Sequence, residues 1–139
     1  MKPPYGVISA VNLDRGDITW QVPYGETPDN YRQIFATNPA FKGMSIPNTG
    51  MNGSVGLVVT KTLVVLGDSQ VTSVTHPRGA MLRAYDKTTG KEVGQILMPA
   101  PQSGSPMTYM LDGKQYIVVA VSGGNYSGEY IAYALPNSQ

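Results

Sequence analysis

Two stretches of this chain repeat one pattern. "ISAVNLDRGDITWQ", Ile8 to Gln21, and "LRAYDKTTGKEVGQ", Leu82 to Gln95, each read as strand, tight turn and strand, with Ala10 aligned to Ala84, Asn12 to Asp86, Gly16 to Gly90 and Gln21 to Gln95. In each copy the Asx side chain is placed to bond the turn backbone, and the glycine supplies the positive φ that a tight hairpin needs. A small inward-facing Ala lets neighbouring sheets approach closely. A half copy, "YIAYALP", Tyr130 to Pro136, puts Ala132 in the Ala84 position, 48 residues further on. That interval is about one four-stranded propeller blade. From Ala10 to Ala84 the interval is 74 residues, one blade plus an insertion.

Periodicity supports the same architecture. Nine short strands are expected: Val7 to Asn12, Asp17 to Val22, Val55 to Thr60, Leu63 to Gly67, Ala80 to Asp86, Glu92 to Met98, Ser105 to Met110, Gln115 to Val121 and Tyr130 to Leu135. Only Asp29 to Ala36 has a helical start, between Pro28 and Pro39. In an antiparallel meander, successive connections fall on opposite ends of the sheet. One end then carries Leu13 to Gly16, Lys61 to Thr62, Lys87 to Lys91 and Leu111 to Lys114, all short. The other carries Pro23 to Ser54, Asp68 to Gly79, Pro99 to Gly104 and Ser122 to Glu129, all longer. One end is trimmed and the other elaborated, as in a scaffold that presents a binding or catalytic face. The fold class is all-β: residues 1–139 form one segment of about two and a half antiparallel four-stranded meander blades of a β-propeller, with a long loop insertion at 23–54.

Composition removes several classes of function. Charged residues make up 14% of the chain, the net charge is +1, and Lys and Arg are scattered, so no nucleic-acid footprint is present. The chain has no cysteine, which excludes disulfides and thiolate metal sites. No apolar run approaches the ~20 residues of a spanning helix. Gly 16, Pro 11 and Tyr 9 suit short strands joined by many turns.

The pattern A-x-[ND]-x-x-x-G-x-x-x-W resembles the tryptophan-docking repeat of the quinoprotein dehydrogenases, eight-bladed propellers that carry pyrroloquinoline quinone (PQQ). Four ordered blocks carry the resemblance: "PPYGVISAVNLDRGDITWQVPYGE", "LRAYDKTTGKEV", "SPMTYMLDGKQYIVVAVSGG" and "GEYIAYALP". They are closest to the C-terminal part of the membrane glucose dehydrogenase branch. The resemblance implies oxidation of a sugar or alcohol hydroxyl by PQQ with calcium, electron transfer to a membrane quinone or a cytochrome, and a place on the periplasmic side of a bacterial membrane. It also implies that the Trp of each repeat packs on the neighbouring blade near its hairpin. Trp20 fits that role. Gly94 stands where the second Trp belongs, a loss of about 3 kcal/mol or more of packing unless Met98 or Ile96 fills the gap.

Site candidates lie on the elaborated end. None of the nine carboxylates matches the family's catalytic Asp and no dense Asp, Asn and Glu cluster is present, so no catalytic or metal residue is assigned. In "MNGSVG", Met51 to Gly56, the resemblance implies a glycine-rich turn near the quinone. Gly53 and Gly56 would let backbone approach a flat ring, and Asn52 could donate a hydrogen bond to a carboxylate or carbonyl; the alternative reading is ordinary loop glycines. His76, the only histidine, reads as a solvated loop residue. "SGGNYSG", Ser122 to Gly128, lacks the following helix and Lys-Ser or Lys-Thr pair of a phosphate loop and reads as a rim loop. Tyr31 and Tyr126 have rings that can stack on a sugar, though tyrosines are also good rim residues.

Eight blades would need a much longer chain, so this sequence looks like a C-terminal segment, inactive alone. Cut from a closed ring, it would expose two strand edges and is expected to self-associate through them or to be marginally stable. A non-catalytic propeller scaffold with the same repeat is the alternative function.

Overall fold

The computed structural model describes residues 3–134 and contains three antiparallel sheets in sequence order. The first is the hairpin β1 (Val7–Asn12) and β2 (Asp17–Pro23). The second is a four-stranded meander of β3 (Val58–Val59), β4 (Leu63–Gly67), β5 (Ala80–Asp86) and β6 (Glu92–Met98). The third has three strands, β7 (Met107–Leu111), β8 (Lys114–Gly123) and β9 (Tyr126–Ala134). The sheets of two, four and three strands agree with the expected propeller fragment of antiparallel meander blades. Leu135, the end of the last expected strand, and Pro136 lie outside the described residues.

The two central strands of the middle sheet, β4 and β5, are covered on both faces, which explains why β4 reads as the unbroken apolar run "LVVLG" rather than as an alternation. Val64 and Leu66 of β4, with Tyr85 of β5, meet Ile8, Tyr24 and Met51 from the side of the first sheet. Val65, Leu82 and Met98 face the third sheet and pack with Val119 and Val121 of β8.

The repeat behaves in space as it does in sequence. The Asn12 carboxamide oxygen accepts from the amides of Asp14 (3.0 Å) and Arg15 (3.1 Å), and the Asp86 carboxylate accepts from those of Thr88 (3.0 Å) and Thr89 (2.8 Å). Gly16 and Gly90 have φ of 73° and 72°. Each hairpin carries an irregularity just after its aligned alanine, and the cross-strand partners are Ala10↔Trp20 and Ala84↔Gly94.

Trp20 docks on the next blade. Its indole Nε1 donates to the Lys87 carbonyl at 3.0 Å, and its ring lies against Gly90, where an added Cβ would sit 2.6 Å from Cε3. Among the described residues no side chain takes the second Trp's place: none of them lies within 4 Å of a Cβ built on Gly94. Met98 is buried deeper in the inter-sheet core, and Ile96 is 48% exposed. What remains is an open apolar groove of about 390 Å³ between the second and third sheets, walled by Leu63, Leu82, Ile96, Ile117 and Tyr133.

Several boundaries differ from the sequence reading. The expected strand at Val55 to Thr60 shrinks to Val58–Val59 because the Gly56 carbonyl is taken by the Gln102 side chain (2.7 Å) instead of a ladder partner. β9 starts at Tyr126, so the expected loop from Ser122 to Glu129 is a hairpin in which Gly123 pairs with Tyr126. Positive φ at Gly123 and Gly124 makes that turn possible, and the elaborated end is therefore short at this one connection. The helix α1 (Asp29–Thr37) extends one residue past the expected end, to where the Asn38 amide bonds the Ile34 carbonyl.

Candidate functional site

The elaborated end is organised by the long connection between β2 and β3. Its two ends are pinned together: the Tyr5 amide donates to the Thr49 carbonyl (2.7 Å), the Tyr24 amide to Gly6 (3.0 Å) and the Met51 amide to Tyr24 (2.8 Å). Met51 is fully buried. The insertion is thus a closed loop with α1 at its far side. Asp29 of α1 reaches the connection after β4 and accepts from the Ser73 amide (3.2 Å) and hydroxyl (2.8 Å). Burial pushes the Asp29 carboxyl up, but the Ser73 bonds outweigh it and hold the group below its ordinary value.

Beneath this end lies a buried ionic network. Asp68, with no exposed surface, accepts from Arg83 Nε (2.7 Å) and Nη2 (3.0 Å) and from the Met81 amide (3.1 Å). Arg83 Nη1 also donates to Glu92 (3.1 Å) and Gln95 (3.1 Å). Burial opposes the Arg83 charge, yet the bonds and charge of Asp68 hold the guanidinium above its ordinary range. Glu26 extends the network: Thr75 (2.8 Å) and Thr72 (3.1 Å) donate to its carboxylate, and His76 Nε2 stands 3.4 Å from it. The His76 side chain is 7% exposed, with Nδ1 donating to the Pro77 carbonyl at 2.7 Å. The expectation of a solvated loop histidine is therefore corrected: His76 is packed against a carboxylate that sits 50 positions upstream.

The residues singled out in "MNGSVG" stand on top of this network. The Asn52 carbonyl accepts from Ser69 Oγ (2.9 Å) and Gln70 Nε2 (2.6 Å), whereas its carboxamide is exposed and has no hydrogen-bond partner among the described residues. Gly53 and Gly56 do permit close approach, and the groups that approach are protein. A Cβ on Gly53 would meet Ser69 Oγ at 2.1 Å, and one on Gly56 would meet Ser105 Oγ at 1.9 Å and Cα at 2.7 Å. Of the three, Asn52 offers a free polar side chain, and the glycines seat it against the loops beside it.

Other candidates have less to offer. A cleft of about 360 Å³ lies between the insertion and the 68–79 connection, bordered by Glu26, Asn48 and Phe35. Its polar groups are internally engaged; Asn48, for example, donates to the Gly25 carbonyl (2.7 Å) and accepts from the Gly50 amide (3.0 Å). Tyr31 is stacked on Tyr5 at 4.4 Å, and the Tyr126 hydroxyl donates to Glu129. Among the described residues no group of three or more His, Asp or Glu side chains is placed to hold a metal ion, and no helix is long and apolar enough to cross a membrane.

Sequence reasoning assigned nothing to Asp68, Arg83 or Glu26. Two signals were present: Asp68 directly follows the buried run "LVVLG", and Arg83 interrupts the apolar strand "AMLRAY". A charge in such a place requires a partner.

Comparison with known proteins agrees with this architecture. Residues 1–117 match the family described as PQQ: glucose/ethanol/alcohol dehydrogenase, beta-propeller domain. The chain is 35% identical over 98% of its length to a probable quinate dehydrogenase (quinone) of Xanthomonas campestris pv. juglandis, covering 16% of that protein. It is 30% identical over 99% of its length to quinoprotein glucose dehydrogenase A of Acinetobacter calcoaceticus, again covering 16%. With the glycerol dehydrogenase large subunit of Gluconobacter oxydans the identity is 31% over 98% of the chain and 17% of the relative. The chain thus spans about one sixth of the length of the curated relatives it matches. The docked Trp20, the repeated Asx-Gly hairpins and these matches together make the chain a member of the PQQ-dependent quinoprotein dehydrogenase β-propeller family.

Proposed function

We propose that this chain supplies blades, and part of the cofactor wall, to a PQQ-dependent dehydrogenase that oxidises a sugar or alcohol hydroxyl. PQQ, when bound, would take up the two electrons of that oxidation. A membrane quinone or a cytochrome is the proposed acceptor, and the periplasmic side of a membrane the proposed location. The observation that carries the wall is the Asn52 carboxamide, exposed and without a hydrogen-bond partner among the described residues, on a backbone whose carbonyl is held by Ser69 and Gln70. Its donor and acceptor suit a ligand edged with carbonyls and carboxylates. Gly53 and Gly56 belong to the wall as the residues that let Asn52 sit close to Ser69 and let the following strand sit close to Ser105. The described residues do not fit a calcium site, so calcium is assigned to other parts of the enzyme.

The test is titration of PQQ with calcium into the full-length polypeptide that carries this segment, comparing wild type with Asn52→Ala. The expected result is tight binding by wild type, weakened about tenfold in the variant by loss of one hydrogen bond to a charged group. A well-folded polypeptide that binds no PQQ would leave a propeller scaffold whose elaborated face recognises something else.

A further inference from the structure

We infer that Ser69 and Gln70 are positioning residues for Asn52, an assignment that rests on the cofactor-wall reading above. Residues 51–53 are held on every side but one. Met51 is fully buried, and its amide is bonded to the Tyr24 carbonyl at 2.8 Å. The Asn52 carbonyl accepts two side-chain donors, Ser69 Oγ at 2.9 Å and Gln70 Nε2 at 2.6 Å, and Gly53 lies so close to Ser69 that no other residue fits there. Those two donors are themselves anchored. They follow Asp68, which has no exposed surface, is held by two bonds from Arg83, and has both backbone groups engaged: its amide to Met81 (2.8 Å) and its carbonyl to the Gln102 amide (2.9 Å).

Two neutral donors converging on one exposed carbonyl is more than an ordinary loop requires, since water would satisfy that oxygen. The arrangement fixes the peptide plane of Asn52 while its carboxamide alone remains unengaged. That is how a ligand-contacting side chain is preorganised by the groups behind it. The buried Arg83 and Asp68 pair then has a role beyond packing: it makes the Ser69 and Gln70 platform rigid.

The experiment uses the full-length polypeptide with PQQ as the probe and three readouts: PQQ affinity by fluorescence titration, thermal midpoint, and exchange of the Met51 amide, which is protected by its bond to the Tyr24 carbonyl. Gln70→Glu keeps the shape but removes the donor; Gln70→Lys restores one. The expected result for Gln70→Glu is about tenfold weaker PQQ binding, faster Met51 exchange and an unchanged midpoint, with Gln70→Lys recovering affinity. Ser69→Ala should act in the same direction. If wild type binds PQQ and Asn52→Ala weakens it while Gln70→Glu and Ser69→Ala do not, the positioning role is overturned and the wall survives. Unchanged Met51 exchange in Gln70→Glu, or an affinity loss that tracks a fallen midpoint and is not recovered by Lys, also overturns it. Absence of PQQ binding by wild type overturns the wall reading itself, whatever the exchange shows.

Discussion

Filling the place of the missing tryptophan should stabilise the chain. Gly94 borders the groove of about 390 Å³ between the second and third sheets, and a Cβ there meets none of the described residues within 4 Å. A Trp side chain carries about 200 Å² of apolar surface, of which an open groove buries roughly half, giving about 2.5 kcal/mol at ~25 cal/mol per Å². Ordering the side chain costs about 1 kcal/mol, and replacing a strand glycine returns about 0.5–1 kcal/mol. Gly94→Trp is therefore expected to gain about 2 kcal/mol, read as a higher urea midpoint with an unchanged slope. Gly94→Leu should gain about half of that, because the gain comes from burial. An unchanged or lowered midpoint in both variants would refute the reasoning, since it would mean the groove is not space a side chain can use.

Removing one partner of the buried ion pair should be the most damaging single change on the elaborated end: Asp68→Ala takes two of Arg83's five hydrogen bonds and its buried counter-charge and should cost about 3–5 kcal/mol in chemical unfolding. Gly56→Ala drives a methyl group against Ser105 and should cost about 1–3 kcal/mol in the same assay, whereas Gly94→Ala should not be destabilising. Burial raises the Tyr24 phenol above its ordinary 10.0, and burial together with the Glu92 charge raises Tyr85 further. Both phenols are neutral in folded and unfolded chains below pH 10, and above it the unfolded chain ionises first. Stability should accordingly hold up to about pH 10 and fall as pH rises further, measured as urea midpoints from pH 8 to 12; a flat profile through pH 11 would exclude this.

The parts legible in the sequence are those whose physics is local. Asn12 and Asp86 bond amides two and three residues away, and Gly16 and Gly90 need only their own φ, so both hairpins could be read from spacing. The double-sided burial of β4 was visible in its unbroken apolar run. What escaped depends on residues far apart in the chain. Gln102 takes the Gly56 carbonyl from 46 positions away and ends β3 early, and Glu26 meets His76 across 50. No spacing rule contains those pairs, because they exist only once the insertion has folded back on itself. The Ser122 to Gly128 stretch failed for the opposite reason. Its glycines and serines look like a loop, but two of those glycines make the tight turn that lets the strands on either side pair at once.

The docking pattern also misleads when it is read along the chain. Ala, Asx, Gly and Trp stand within 11 residues and look like one local unit, yet the Trp20 ring does not lie on Gly16, for none of the described residues comes within 4 Å of a Cβ built there. It lies on Gly90 and bonds Lys87, in the following blade's hairpin. The lock therefore joins one copy's tryptophan to the next copy's glycine, and Gly94 in the second copy has no bearing on the second copy's own turn. Trp20→Ala separates the two views. A lock within the copy would loosen residues 13–16; a lock between blades loosens residues 87–91, which lose a ring and a hydrogen bond at once. Amide exchange should speed up at Gly90 and Lys91 and stay unchanged at Arg15 and Gly16, alongside a stability loss of about 3 kcal/mol. Faster exchange confined to the first hairpin would overturn the assignment, and the equal loss of both would mean that Trp20 holds the two sheets together as one cooperative unit.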